Sequence, residues 1–194
     1  MMLTKQIIYF IFFFLITFIP IKAGANDIGD FEIEEMSIGK SMLNFTSKAK
    51  IKNSIQPYFD DERQYYVIYY KDKLEIYDDF EIYLKTGDEN FIIKAINAGL
   101  YPKNLKDCLN LKEQIVDDIA KSLNINFKTY EDLHSYYNNT SVPTSDGNLD
   151  NGYISIQCLF WDKKDKKKHP KLVNNLAVWI VSDEISQWFG SGYK

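Results

Sequence analysis

Gly39-Lys40-Ser41 carries the residues on which a phosphate-binding loop ends. That loop also needs a glycine five residues earlier, a hydrophobic strand before it and a long helix after it. Position 34 is Glu34, so the tripeptide reads as a helix start. Asp146, Asn148 and Asp150 set oxygen ligands at alternate positions beside Gly147 and Gly152, which is how a calcium loop arranges them. Here the glycine falls one place late, and Gln157 stands where the loop needs a bidentate glutamate. These three residues are the only metal candidate, and the plain reading is a polar loop entering a strand. Two histidines, His134 and His169, and two cysteines, Cys108 and Cys158, complete the soft ligands. No two of them lie within five residues of each other, so zinc-box spacing is absent. Neither H-E-x-x-H nor G-x-S-x-G occurs, and no cofactor is expected. Asp60-Asp61 and Asp78-Asp79 fall at turns. Only tertiary structure could gather such acids into a hydrolytic pair.

Two features suggest recognition. Tyr65, Tyr66, Tyr69 and Tyr70, with Tyr77 and Tyr83 beyond, put aromatics on both faces of the strands that hold them. One set is expected in the core. The other either coats an open face able to bind protein or sugar, or lies under a second layer of helix. Lys163 to Lys171 contains Lys163, Lys164, Lys166, Lys167, Lys168 and Lys171, with His169 and Asp165 among them. A solvated loop is the plain reading. Attraction to an anionic surface such as lipid headgroups, acidic glycan or a partner is the functional one.

The start of the chain is built for export. Lys5 precedes an apolar run from Ile7 to Ile19 that Pro20 ends, and Ala23-Gly24-Ala25 supplies small residues for cleavage after Ala25. The run is shorter than the roughly 20 apolar residues of a spanning helix. No second run of that length follows, so no transmembrane segment is expected after cleavage. Removing Lys5 and Lys22 from 23 basic residues leaves 21 against 27 acidic ones. An acidic exported domain is a poor match for nucleic acid. An even pair of cysteines in an oxidising compartment is expected to form one disulfide, Cys108 to Cys158, the alternative being two buried thiols.

The elements that hold these residues follow from periodicity. Ser37 caps a short helix carrying Met42, Leu43 and Phe45, and Thr46 or Ser47 caps a second, 47 to 55, which Pro57 stops. Strands are expected over 63–70, 74–77, 80–84 and 91–96, forming an antiparallel meander. In 80–84, Phe80, Ile82 and Leu84 face one way and Glu81 and Tyr83 the other. Asn104 or Leu105 opens the longest helix, with Leu105, Cys108, Leu109, Ile115, Val116, Ile119 and Leu123 as its apolar stripe. Thr129 is expected to cap a helix over 130–137, followed by a loop to Asn151. Strands 153–161 and 176–181 flank the basic loop, and Ser182 caps a last helix over 183–189.

The segment Ile33-Glu34-Glu35-Met36-Ser37-Ile38-Gly39-Lys40, two short helices, and strands ending in Phe80 to Leu84, Gly87 and Phe91 to Ile96 resemble the helix-helix-strand-strand-strand unit of small outer-membrane assembly lipoproteins and lactamase-inhibitor-like domains. That unit covers residues 31 to 97. The whole layout, with Cys158-Leu159-Phe160-Trp161-Asp162 and Ser182-Asp183-Glu184, is similar to small exported bacterial proteins of unknown function. That second likeness implies a compartment, periplasmic or extracellular, and no activity. The expected architecture is α+β: an antiparallel sheet, meander plus C-terminal hairpin, with helices packed on one face. Residues 1–25 are the leader and 26–194 one domain, with sub-units 31–97 and 98–194. The expected function is non-enzymatic binding of an unknown protein or envelope component through the tyrosine-rich face or the basic loop. The alternative is an envelope-polymer hydrolase using gathered acids.

Overall fold

The computed structural model describes residues 27–59, 63–135, 137 and 139–192. The leader and its cleavage site lie outside the described residues, as do Asp60 and Asp61.

Seven strands, β1 (Tyr65–Tyr70), β2 (Asp79–Lys85), β3 (Ile93–Leu100), β4 (Phe127–Leu133), β5 (Ser141–Leu149), β6 (Gly152–Leu159) and β7 (Asn175–Ser182), form one sheet. Its order is β1-β2-β3-β7-β6-β5-β4, and every neighbouring pair is antiparallel. Among the described residues four α-helices accompany it: α1 (Lys48–Asn53), α2 (Leu105–Leu123), α3 (Lys163–Lys168) and α4 (Asp183–Gly190). The fold is α+β. Helix α2 carries the chain from central β3 to the far edge at β4. The β4-β5-β6 meander then returns, and the C-terminal strand β7 fills the gap beside β3.

One sheet face holds the main core. Phe80, Ile82 and Leu84 of β2 sit there with Ile154, Ile156, Leu176, Val178 and Ile180, all fully buried. Helix α2 covers them with Cys108 and Ile119, flanked by half-buried Leu111, Ile115 and Val116. Its first turn is capped by Asn104, whose Oδ1 accepts the Asp107 N–H at 2.9 Å, and Asn124 ends it at φ 52° in the left-handed region. Cys108 and Cys158 are bridged, with Cα atoms 6.0 Å apart. The core stripe of the helix and the apolar face of β6 meet in one layer there.

Several expected elements differ; the helix expected after Ser37 is a single 3-10 turn, Met42–Asn44, capped by Ser41, and residues 163–168 form α3 rather than a loop. Residues 130–137 do not form a helix; 127–133 form edge strand β4, in which every residue but Phe127 is exposed. Hydrogen bonding to β5, rather than burial, makes it a strand. The expected loop 138–151 is mostly β5. Its Pro143 is tolerated because pairing with β6 begins only at Thr144. Residues 74–77 do not pair as a strand. Their N–H groups turn to the Glu34 carboxylate, which accepts from Glu75, Ile76 and Tyr77 at 2.6–3.2 Å. Those three backbone donors hold the Glu34 carboxyl below its ordinary range, against the opposing effect of burial.

The expectation of helices on one face describes α2. Helix α4, capped by the Ser182 hydroxyl, turns under the opposite face. There Ile185 and Trp188 pack on Tyr65, Val67, Tyr83, Ala95 and Val181. It covers the β1-β2-β3-β7 end of that face and reaches β6.

A candidate binding face on the sheet

Directly paired residues of antiparallel strands share a face. The register therefore lines Tyr69, Glu81, Asn97, Trp179, Ser155, Asp146 and Lys128 into one row across all seven strands. The row spans about 29 Å at the usual strand spacing. Beside it runs Asp79, Gly99, Ala177, Gln157, Thr144 and Tyr130. Both rows lie opposite α2, and α4 reaches the first of them where Phe189 meets Trp179; Asp79, Thr144, Ser155 and Ala177 within them are buried.

At the β1–β3 end, tyrosines bind carboxylates. Tyr69 and Tyr101 donate to Asp79 Oδ2 at 2.7 and 2.5 Å. Tyr58 donates to Glu81 Oε1 at 2.8 Å, and Asn97 Nδ2 to Glu81 Oε2 at 3.0 Å. Burial first, and the Asp79 carboxylate second, push the Tyr69 phenol up to about 12. The Tyr58 and Tyr101 phenols are raised by the same two causes, with Glu81 the partner of Tyr58. These phenols therefore remain donors throughout the physiological range. Gly99 makes the arrangement possible, since a Cβ there would lie 2.5 Å from Asp79 Oδ1. At the β4–β5 end, Tyr130 donates to Asp146 Oδ2 at 2.6 Å. That bond, more than burial, raises its phenol to about 12.

The middle is aromatic. Trp179 lies 5.9 Å from the Tyr83 ring and 6.3 Å from Phe189, centroid to centroid. Beside them is an open groove of about 300 Å³ lined by Tyr83, Ser135, Tyr153, Ser155, Gln157, Trp179 and Phe189. Along the row, two buried acceptors, Asn97 Oδ1 next to the tryptophan and Asp146 Oδ1 two strands away, receive no hydrogen bond among the described residues. An indole beside an open groove that also holds Ser155 and Gln157 can take a ring or apolar side chain with polar neighbours.

The chain matches no known protein family, no curated protein and no solved structure.

Of the tyrosines singled out from sequence, Tyr65 and Tyr70 are 1% and 7% exposed and belong to the two hydrophobic clusters, not to an open surface. Tyr65 donates to Glu184 at 2.6 Å, and Tyr66 packs against the main core. Only Tyr69 joins the open row. Trp179, Asn97 and Ser155 were not singled out. The alternation in 176–181 does set Trp179 opposite Leu176, Val178 and Ile180, a readable signal. Asp146, Asn148 and Asp150 lie along strand β5 and its end rather than around a point. Asp146 is engaged by Tyr130, and Asp150 bridges to Asp27. Among the described residues no three His, Cys, Asp or Glu side chains are grouped to hold a metal.

A second pair has chemical form. Lys112 Nζ donates to Ser145 Oγ at 2.7 Å, and Ser145 lies 2.9 Å from Thr129 Oγ1. Burial lowers the Lys112 amine below its ordinary value. A serine beside such an amine is a nucleophile with its base. Here Lys112 and Ser145 are 4% and 1% exposed, closed between α2 and β5, so the pair bridges helix to sheet and offers no entry to a substrate.

Proposed function

We propose that this chain is a non-enzymatic, exported envelope protein that binds a protein partner through the open face of its sheet, centred on Trp179. The observation that carries the reading is the open groove of about 300 Å³ at the centre of this face, where Trp179, Tyr83, Tyr153 and Phe189 stand beside Ser155 and Gln157. A shallow aromatic centre with a polar rim is how protein-docking surfaces are built. Export is supported by the leader-like composition of residues 1–25 and by the Cys108–Cys158 bridge, a bond that persists in oxidising compartments. Against the hydrolase alternative, the carboxylates Asp79 and Glu81 accept from phenols and an amide on an open face, not within a cleft.

Site-specific photo-crosslinking in cells that make the protein tests the proposal. A crosslinker at Gln157, on the face, is expected to give one adduct of defined mass. At exposed Gln114, on the outer side of α2, it is expected to give none. Trp179→Ala should weaken that adduct's formation by about 30-fold, the penalty of losing a central aromatic anchor. Equal adducts from both positions, or one indifferent to Trp179→Ala, would remove the sheet face as the docking site.

A further inference from the structure

The β6–β7 connection combines cations with exposed apolar groups at one end of the sheet. Residues 163–168, expected as a basic loop, form helix α3, capped by Asp162 Oδ1, which accepts the Lys164 N–H at 2.7 Å. Five of its six residues are lysines, and Lys171 follows. The sixth, Asp165, is 3% exposed. It accepts from Thr140 Oγ1 at 2.7 Å and Asn139 Nδ2 at 2.8 Å, and the Thr140 hydroxyl also accepts the Asp162 N–H at 3.0 Å. The helix is thus fastened to the start of β5 through its single acid while its lysines are held outward.

The same end presents Leu133, 63% exposed, and Val173, 61% exposed. Leu133 ends β4 opposite Ser141, next to Thr140. Val173 is held by its carbonyl, which accepts Trp161 Nε1 at 2.7 Å. The half-buried Trp161 meets His134 at a tilt and Tyr137 edge-to-face, with centroids 5.0 and 5.1 Å apart. Exposed lysines and two exposed aliphatic side chains at one end of the sheet, together with Trp161 and Tyr137, are the residue types that meet a bilayer interface.

We propose that this end, the lysines of α3 together with Leu133 and Val173, docks on an anionic lipid bilayer. Charge complementarity selects the occupant. A second copy presenting the same end would meet like charge, and a soluble polyanion would leave Leu133 and Val173 in water. The proposal does not depend on the sheet face: the lysine end lies at the Leu159 end of β6, and Trp179 pairs with Ser155 at mid-strand.

The test is co-sedimentation of the disulfide-bonded protein with vesicles of phosphatidylcholine, alone or with about one-third phosphatidylglycerol. Binding is expected only to the anionic vesicles, and is expected to fade near 0.5 M salt, where charges are screened beyond roughly 4 Å. Lys164→Gln/Lys167→Gln/Lys168→Gln is expected to weaken it by about a hundredfold, at about fivefold per lysine. Leu133→Ser/Val173→Ser is expected to weaken it about tenfold or more. All five positions are exposed, and a cooperative thermal unfolding transition matching that of the wild type reports that each variant is folded. Trp179→Ala should leave vesicle binding unchanged. Absence of binding, equal binding to neutral vesicles, or indifference to the lysine substitutions overturns the proposal. Full binding by the Leu133/Val173 variant also overturns it, because attraction to polyanions alone would then account for the result.

Discussion

Replacing both bridged cysteines, Cys108→Ala with Cys158→Ala, isolates the contribution of the disulfide. The bond closes a span of 50 residues, running from the first turn of α2 through β4 and β5 to the end of β6. On the loop-entropy account, a loop of that size destabilises the unfolded chain by about 4 kcal/mol at 25 °C. Both residues are fully buried, and the two missing sulfurs leave a small void that adds to the loss. Urea unfolding followed by tryptophan fluorescence should show a midpoint lower by about 2 M, for a slope near 2 kcal/mol per molar. The melting temperature should fall by roughly 8–16 °C, at about 2–4 °C per kcal/mol for a domain of this size. The variant should also unfold with a steeper slope, since its unfolded chain is free to expand. Amide exchange should accelerate most at the first turn of α2, with Ile119 at the other end protected by its own packing. A loss below about 1 kcal/mol with unchanged slope would refute the reasoning. The unfolded chain would then be no more restricted with the bridge than without it.

Two further outcomes concern charge. Lys112→Met should raise stability at pH 7 by about 1–2 kcal/mol, because a buried ammonium served by one hydroxyl gives way to an apolar side chain of similar length. Since the Lys112 amine is lowered from its ordinary 10.5 by burial, the unfolded chain holds its proton more tightly. The wild type should therefore gain on the variant as pH rises toward 10.5, and urea unfolding at neutral and alkaline pH checks both. A variant less stable than wild type at every pH would refute this. Glu184→Gln addresses the hub where Lys94, Tyr65 and Lys85 all donate to one carboxylate, at 2.7, 2.6 and 3.0 Å. Led by the Lys94 bond, these pull its carboxyl from 4.5 down to about 2. The folded value is depressed, so the stabilisation is present above pH 4.5 and is lost as pH falls toward 2. With the carboxylate 38% exposed, screening reduces the effect to about 1 kcal/mol. The gap between wild type and Glu184→Gln should close across that acid window, and a constant gap would count against the hub.

Strands β1–β3, helix α2 and helix α4 were readable because each carries its own periodicity and cap. Phe80, Ile82 and Leu84 alternate with Glu81 and Tyr83, Asn104 precedes an amphipathic stripe, and Ser182 precedes Ile185 and Trp188. The cysteines were readable for a related reason: each sits on the apolar side of its element, so docking one layer on the other brings them together. Strand β4 carries no such mark. Six of its seven residues face water, and its extended form depends on partners in 141–147. Strand β5 was masked by its turn-forming composition, Pro143, Asp146, Gly147 and Asn148.

Amino-acid order alone thus determined the class of the fold, the start of helices α2 and α4 and the pairing of the cysteines, since those depend on interactions within an element or on which side of it is apolar. The candidate site was decided only in three dimensions. Glu81, Asn97, Trp179 and Asp146 come from four strands and share a row solely because β7 inserts between β3 and β6. Whether a tyrosine meets water likewise depends on distant chain: Tyr65 is covered by α4, more than a hundred residues away, and Tyr69 is left at the rim. Strand order and helix placement minimise exposed apolar surface over the whole chain. No local run of residues records that outcome.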